Sequence, residues 1–171
     1  MRFTAQEEYG LRCMVQLARH EVGGPLTIQA IAQAERLSPA YVGKLLGVLR
    51  RHGLVASQHG PSGGYRLPRP AAEMNVGEIL NVLGGRLFEP RICKRYGGER
   101  PLCVHTSACS IHSLWSGLDL IVDQLLKKTR LSELVSGERT VSSWIREQLP
   151  AILDTAGRRA ALPLAAAERA S

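Results

Sequence analysis

The segment over residues 27–67 constrains the fold most strongly, because its helix starts, helix ends and turn signals come in a fixed order. Thr27 and Ser38 each precede apolar residues at helical spacing, so each is predicted to cap a helix. Pro39 falls in the first turn of the second of these helices, where its missing N–H costs nothing. Gly53 suits the left-handed position that follows a helix end. The order therefore predicts two consecutive helices joined by a tight turn.

A β-hairpin is predicted directly after these helices. Residues 54–58 and 65–67 form two short segments around the Gly/Pro-rich turn 59–64. An earlier helix is predicted over residues 4–20, where apolar residues recur at helical spacing. Three helices followed by a hairpin indicate a winged helix-turn-helix. The predicted fold class is thus mainly α with a small β-hairpin wing.

The C-terminal half predicts helices separated by an irregular loop. A short helix is expected over residues 75–83, and periodicity is lost over residues 86–108. An apolar stripe about four turns long then covers residues 111–125. A stripe this wide needs a partner surface, so we predict a long dimerisation helix that pairs with a second subunit; packing within one chain is the alternative. A last helix is expected over residues 140–149, followed by a frayed tail.

These signals divide the chain into five predicted parts. They are a winged helix-turn-helix domain at 1–72, a connecting helix at 73–90, a cysteine loop at 91–110, the dimerisation and C-terminal helices at 111–150, and a disordered tail at 151–171.

Charge points to a polyanionic partner. The chain of 171 residues has a net charge of +7, and residues 1–72 contribute +5 of it, from nine Lys/Arg against four Asp/Glu. A basic domain favours nucleic acid, although a merely soluble basic domain has the same composition. No apolar run approaches the roughly 20 residues needed to cross a bilayer, and acidic residues stand where a signal peptide would be apolar. We therefore expect a cytoplasmic protein without a membrane partner.

The N-terminal end of the third helix is the predicted DNA reader. In a helix-turn-helix this end enters the major groove, which selects Ser38, Ala40, Tyr41 and Lys44. Packing of the Tyr41 ring into the core is the alternative for that residue. The wing is predicted to lie across the minor groove and to contribute three further contacts, which are His59, Ser62 and Arg66.

Three cysteines and a histidine form the second candidate site, with the spacing C-x9-C-x5-C-x2-H. They are Cys93, Cys103, Cys109 and His112. A disulfide framework is not expected in a reducing compartment, and soft thiolates suit zinc, copper(I) or iron–sulfur centres. Cys109 and His112 are three residues apart at a predicted helix start, so they share a face. A thiol-oxidation switch remains an alternative to a metal or cluster.

Two other observations limit the roles that the cysteines can have. Cys13 lies within the apolar pattern of the first helix, which favours a packed core thiol. No histidine near the cysteines comes with an orienting acid in a recognisable catalytic motif, so an enzyme with a cysteine nucleophile is not expected.

The chain resembles the IscR/NsrR-type bacterial transcription regulators over roughly residues 1–135. The resemblance is carried by MRFTAQEEYGLRCMVQLA, by LTIQAIAQAERLSPAYVGKLLGVLRRHGLVASQHGPSGGYRL and by the cysteine loop with its following helix. It implies a dimeric winged-helix regulator whose operator binding is controlled by an iron–sulfur cluster that senses redox, iron or nitric oxide status.

The resemblance also implies a ligand set. Three loop cysteines, which match Cys93, Cys103 and Cys109, would hold the cluster. The fourth ligand is either His112, which suits a 2Fe–2S rather than a 4Fe–4S centre, or Glu8 supplied by the partner subunit. The first cysteine gap, of nine residues, is longer than in the best-known members, so the cluster type does not carry over. Ala40 and Gly43 replace polar base-reading residues and His59 replaces a wing arginine, so the operator sequence does not carry over either.

Overall fold

The computed structural model describes residues 3–60, 63–85 and 109–160. Within them the structure is mostly helical, with one small antiparallel sheet, and this confirms the predicted fold class. The elements in chain order are α1 (Ala5–Arg19), α2 (Ile28–Glu35), α3 (Pro39–Arg51), β1 (Ala56–Gln58), β2 (Gly64–Arg66), a 3-10 turn (Ala71–Glu73), α4 (Val76–Gly84), α5 (Ser110–Lys128), α6 (Leu131–Val135) and α7 (Glu138–Ala160).

Two compact units make up the chain. One comprises Met1–Arg86 with Leu126–Ser143, and the other comprises Leu87–Leu125 with Trp144–Ser171. The first unit extends beyond the predicted domain at 1–72, because it also takes in α4, the end of α5 and the whole of α6.

Helix α1 begins at a capping box and buries one face. The Thr4 hydroxyl accepts a hydrogen bond from the Glu7 N–H (3.2 Å), and the Glu7 carboxylate accepts one from the Thr4 N–H (2.7 Å). These bonds satisfy backbone donors that a helix start otherwise leaves open. Cys13, Met14 and Leu17 then lie fully or almost fully buried on the face that packs into the core.

The helix-turn-helix pair follows the local signals closely. Thr27 caps α2 by accepting from the Ala30 N–H (3.1 Å), and Ser38 caps α3 by accepting from the Tyr41 N–H (3.3 Å). Gly53 has a positive φ of 71° just after α3, as predicted. Four buried side chains hold α3 against the rest of the unit, namely Val42, Leu45, Leu46 and Leu49.

The wing contains a second backbone pairing that the sequence did not predict. β1 and β2 pair antiparallel with Ser57 opposite Tyr65. Leu26, between α1 and α2, exchanges two backbone hydrogen bonds with Tyr65, at 2.8 and 2.7 Å. The base of the wing is therefore tied to the chain segment that leads into α2.

The segment after α5 returns to the first unit. The Val76 N–H donates to the Thr129 carbonyl (2.9 Å), and the Leu131 N–H donates to the Met74 carbonyl (2.8 Å). Leu131 is completely buried in the same core cluster as the residues of α1 and α3. The end of α5 is thus anchored beside the start of α4.

The C-terminal helix corrects the sequence expectation. A helix end was predicted near Leu149, but α7 runs from Glu138 to Ala160 with Pro150 inside it. Proline removes one backbone hydrogen bond from a helix. Ile152, in the turn that follows, is completely buried, and this burial offsets the loss. The last part of the predicted tail, residues 161–171, lies outside the described residues.

None of the helices described combines the length and the apolar character needed to span a bilayer.

Candidate functional site

The N-terminal end of α3 brings four of the predicted DNA-contacting residues together. Ser38 is the cap, Ala40 and Tyr41 lie in the first turn, and Lys44 is one turn further on. Ser38, Ala40 and Lys44 are exposed, whereas Tyr41 is only partly so. The exposed members leave a small, polar and positively charged surface at the helix end that would enter a groove.

Tyr41 is divided between core and surface. Its ring packs against the core cluster and meets the ring of Tyr9 edge-on, with centroids 6.1 Å apart and an interplanar angle of 83°. Edge-to-face contact at this distance is favourable for aromatic rings. Tyr9 lies on α1, so this pair connects α1 to the first turn of α3.

A charged network that the sequence did not reveal lies next to this pair. The Arg12 Nε donates to the Glu35 Oε2 (2.5 Å), and the Gln16 Nε2 donates to the Glu35 Oε1 (2.5 Å). The Arg12 guanidinium also lies over the Tyr9 ring, 5.4 Å from its centroid. The hydrogen bond with Glu35 raises the pKa of Arg12, and the charge of Glu35 adds to the effect.

This network ties the end of α2 to the middle of α1, immediately before the turn that leads into α3. Arg12 and Glu35 are separated by 23 residues, so no local periodicity could have indicated their contact.

The wing presents His59 and Arg66 as exposed side chains, and Ser62 lies outside the described residues. The glycines of the wing allow close backbone contacts within the chain. A Cβ atom on Gly64 would come within 2.7 Å of the Leu26 carbonyl carbon, and one on Gly63 within 2.7 Å of the Gly60 oxygen. Only glycine permits these backbone approaches.

Cys109 and His112 lie together at the start of α5. The Cys109 carbonyl accepts from the Ser113 N–H (3.1 Å), and the Cys109 sulfur accepts from the His112 N–H (3.5 Å). Cys109 therefore caps α5 with its sulfur, as serine or aspartate commonly does with oxygen. The imidazole Nε2 of His112 lies 3.3 Å from the Ser116 hydroxyl. Both side chains are partly exposed.

The donor set of this pair fits an iron–sulfur centre. One soft sulfur and one imidazole nitrogen come from a single helical turn, where the positive end of the helix dipole offsets negative charge. The other two predicted ligands, Cys93 and Cys103, lie outside the described residues. Among the residues that are described, no group of three or more His, Cys, Asp or Glu side chains forms a metal site.

Glu8, the alternative fourth ligand, is exposed in the first turn of α1. Its neighbour Glu7 is turned inward and is only 4% exposed. The charge of Glu8 is one of the smaller causes that raise the pKa of Arg12, which lies one turn further along α1. Glu8 is thus available at the surface, next to the network that braces α2.

Cys13 has a different environment from Cys109. It is completely buried, and burial raises the pKa of its thiol to about 12. A thiol this hard to ionise is a poor ligand and a poor nucleophile. It is a core residue, as the helical pattern predicted.

Comparison with known proteins agrees with this architecture. The family model Rrf2, described as an iron-dependent transcriptional regulator, matches residues 3–137. The transcriptional regulator IscR of Sodalis glossinidius is 32% identical over 138 residues, covering 81% of this chain and 81% of that protein.

Two solved structures are similar in fold. CymR, the global cysteine regulator of B. subtilis, matches with a TM-score of 0.67 and 29% identity, over 80% of this chain and 97% of CymR. IscR of T. potens matches with a TM-score of 0.65 and 28% identity, over 81% of this chain and 90% of that one. These relatives are regulators of transcription and not enzymes.

Proposed function

Because this chain belongs to the Rrf2 family of transcriptional regulators, we propose that it is a dimeric repressor or activator whose DNA binding is controlled by an iron–sulfur cluster. The observation that carries the cluster is the pairing of Cys109 with His112 at the capped start of α5. Cys93 and Cys103 complete the proposed ligand set.

DNA binding is proposed for the exposed end of α3 and for the wing. Ser38 and the first-turn backbone N–H groups suit a phosphate, because a helix start concentrates positive charge. Ala40, Tyr41 and Lys44 are proposed to meet base edges in the major groove. His59, Ser62 and Arg66 are proposed to follow the minor groove. The excess of basic residues in this part of the chain supports the same assignment.

The second subunit is proposed to cover the apolar face of α5. Ile111 is 60% exposed and Leu114 is 57% exposed in the single chain, and Trp115 and Leu118 are also exposed. Burying these exposed apolar side chains from two copies would favour association. Two reading helices held by such a dimer would fit half-sites about one helical turn apart.

We favour His112 over Glu8 as the fourth ligand, and a 2Fe–2S over a 4Fe–4S centre. His112 lies in the same helical turn as Cys109, whereas Glu8 belongs to a different helix. When bound, the cluster would supply sensitivity to redox state, iron supply or nitric oxide. Cys109 links that site to the first turn of α5, and the last residues of α5 belong to the first unit. A difference of a few kcal/mol between two dimer states would switch DNA occupancy.

A regulator that senses through cysteine thiols or zinc, without a cluster, is the second candidate. The likeness to CymR, the global cysteine regulator of B. subtilis, and to the oxidized form of Staphylococcus aureus CymR leaves this candidate open. Both candidates share the DNA-binding unit and differ only in the chemistry of the cysteines: a bound cluster in the first, and thiol oxidation or bound zinc in the second.

The test is the content of iron, acid-labile sulfide and zinc per chain, with a visible spectrum, in protein purified without oxygen. Two iron and two sulfide per subunit are expected for a 2Fe–2S centre, and four of each would indicate the other type. Cys109→Ser should lose the colour while keeping a capping acceptor at the start of α5. Cys13→Ala is the matched control and should keep the colour.

Colourless protein without iron after reconstitution would reject the cluster. Zinc bound at one ion per chain, or reversible thiol oxidation that changes DNA affinity, would then support the second candidate. Loss of the cluster in Cys109→Ser with no change in DNA binding would reject control by the cluster while leaving a DNA-binding regulator.

A further inference from the structure

Arg36 occupies a backbone conformation that, among the other residues the structure describes, only glycines adopt. It follows α2 with φ 54° and ψ 42°, in the left-handed region. Five other described residues have a positive φ, and all five are glycines: Gly24, Gly53, Gly60, Gly85 and Gly137. A side chain disfavours this conformation because Cβ approaches the neighbouring carbonyl oxygen.

The turn itself requires this conformation. The Arg36 N–H donates to the Gln33 carbonyl (3.4 Å), and the Leu37 N–H donates to the Ala32 carbonyl (2.9 Å). These bonds close α2 in the way that a left-handed cap does, and they redirect the chain into α3. Glycine or asparagine would adopt the same turn with less strain.

The contacts within the described residues do not explain an arginine at this position. The side chain is exposed, and no ion pair within the described part of the chain involves it. The adjacent carboxylate, that of Glu35, is already bound by Arg12 and Gln16. A strained backbone conformation that no contact within the described residues compensates points to a contact with a partner molecule.

We infer that Arg36 binds a backbone phosphate of duplex DNA beside the point where α3 enters the groove. Arg36 lies two residues before Ser38, the cap of α3, and so at the same end of the reading helix as Ala40 and Tyr41. Its guanidinium offers a planar fork of donors that matches phosphate oxygens. This inference rests on the proposed DNA-binding function and adds a residue to it.

The test compares Arg36→Gly and Arg36→Lys with the unmodified chain. DNA affinity is measured as a function of salt, by fluorescence anisotropy, on a labelled duplex of random sequence, because a phosphate contact acts on any sequence. Arg36→Gly should lower the slope of log affinity against log salt by about 1 and weaken binding about fivefold to tenfold at roughly 0.1 M salt. Arg36→Lys should keep most of the slope.

The same substitution should change thermal stability in the opposite direction to DNA affinity. Arg36→Gly should raise the unfolding midpoint, because glycine relieves the strain at this φ. Arg146→Gln removes the same charge at an exposed arginine of α7, which belongs to the other unit, and should leave the slope unchanged.

Three results would overturn the inference. They are an unchanged salt slope in Arg36→Gly, an equal loss of slope in Arg146→Gln, or a lower unfolding midpoint in Arg36→Gly. Failure of the unmodified protein to bind any duplex would instead reject the proposed function itself, so the two failures are distinguishable.

Discussion

The Tyr9 and Tyr41 rings meet edge-on with their centroids 6.1 Å apart, and this contact joins α1 to the first turn of α3. One side of the Tyr41 ring therefore belongs to the core, while the residue remains partly exposed at the end of α3. Packing and DNA contact are not exclusive alternatives for this residue, and they can be separated by substitution.

We expect Tyr9 and Tyr41 to be energetically coupled. A double-mutant cycle of Tyr9→Ala and Tyr41→Ala should give a coupling of about 0.5–1.5 kcal/mol in the free energy of unfolding, measured with urea. Tyr41→Phe should keep this stability because the ring stays in place. If the hydroxyl contacts DNA, Tyr41→Phe should also weaken operator binding. Equal affinity in this variant would exclude a DNA contact by the Tyr41 hydroxyl.

Lys44→Ala should weaken DNA binding, because it removes a proposed DNA contact. It should not lower stability, because the Lys44 side chain is exposed. If it contacts phosphate, the slope of log affinity against log salt should fall by about 1. Lys44→Arg keeps the charge and is the control, with an expected slope close to that of the unmodified protein. An unchanged affinity of Lys44→Ala across the salt titration would remove Lys44 from the DNA contacts.

Gly64→Ala should destabilise the wing, since its Cβ would meet the backbone of Leu26 rather than a flexible side chain. We expect the free energy of unfolding to fall by about 1–3 kcal/mol. Gly157→Ala is the matched control, because nothing lies within 4 Å of the Cβ it would add in α7. That change should be neutral or should stabilise by up to about 1 kcal/mol. Equal effects of both changes would contradict the close approach at Gly64.

The buried Cys13 thiol should lower the free energy of unfolding at alkaline pH. Burial raises the pKa of its thiol from 9.0 to about 12, so the unfolded chain loses the thiol proton over a range where the folded chain keeps it. The folded state then binds more protons, and stability falls as pH rises above about 9. Urea unfolding at about pH 8 and about pH 10 should show a loss about 1.4 kcal/mol larger in the unmodified protein than in Cys13→Ala. The same loss in both proteins would contradict a buried, neutral thiol.

Local signals in the sequence were enough to predict the winged helix-turn-helix. A hydroxyl at a helix start, a proline in the first turn and a glycine after the helix end act within four residues of one another. For that reason Thr27, Ser38 and Gly53 have the roles predicted for them. The pairing of Cys109 with His112 was predictable for the same reason, because three residues of spacing place them in one helical turn.

Contacts between distant residues were decided by the tertiary structure. The Arg12–Glu35 pair, the Leu26–Tyr65 pairing and the burial of Leu131 join segments that share no periodicity. Pro150 shows the limit of a local signal: its missing N–H predicts a helix end, yet α7 continues because the following turn buries Ile152. The sequence by itself determined where most elements begin and that Cys109 and His112 lie in one helical turn, since those effects act over one turn. Which faces are buried depends on free energy gained between elements, and only the packed structure supplies it.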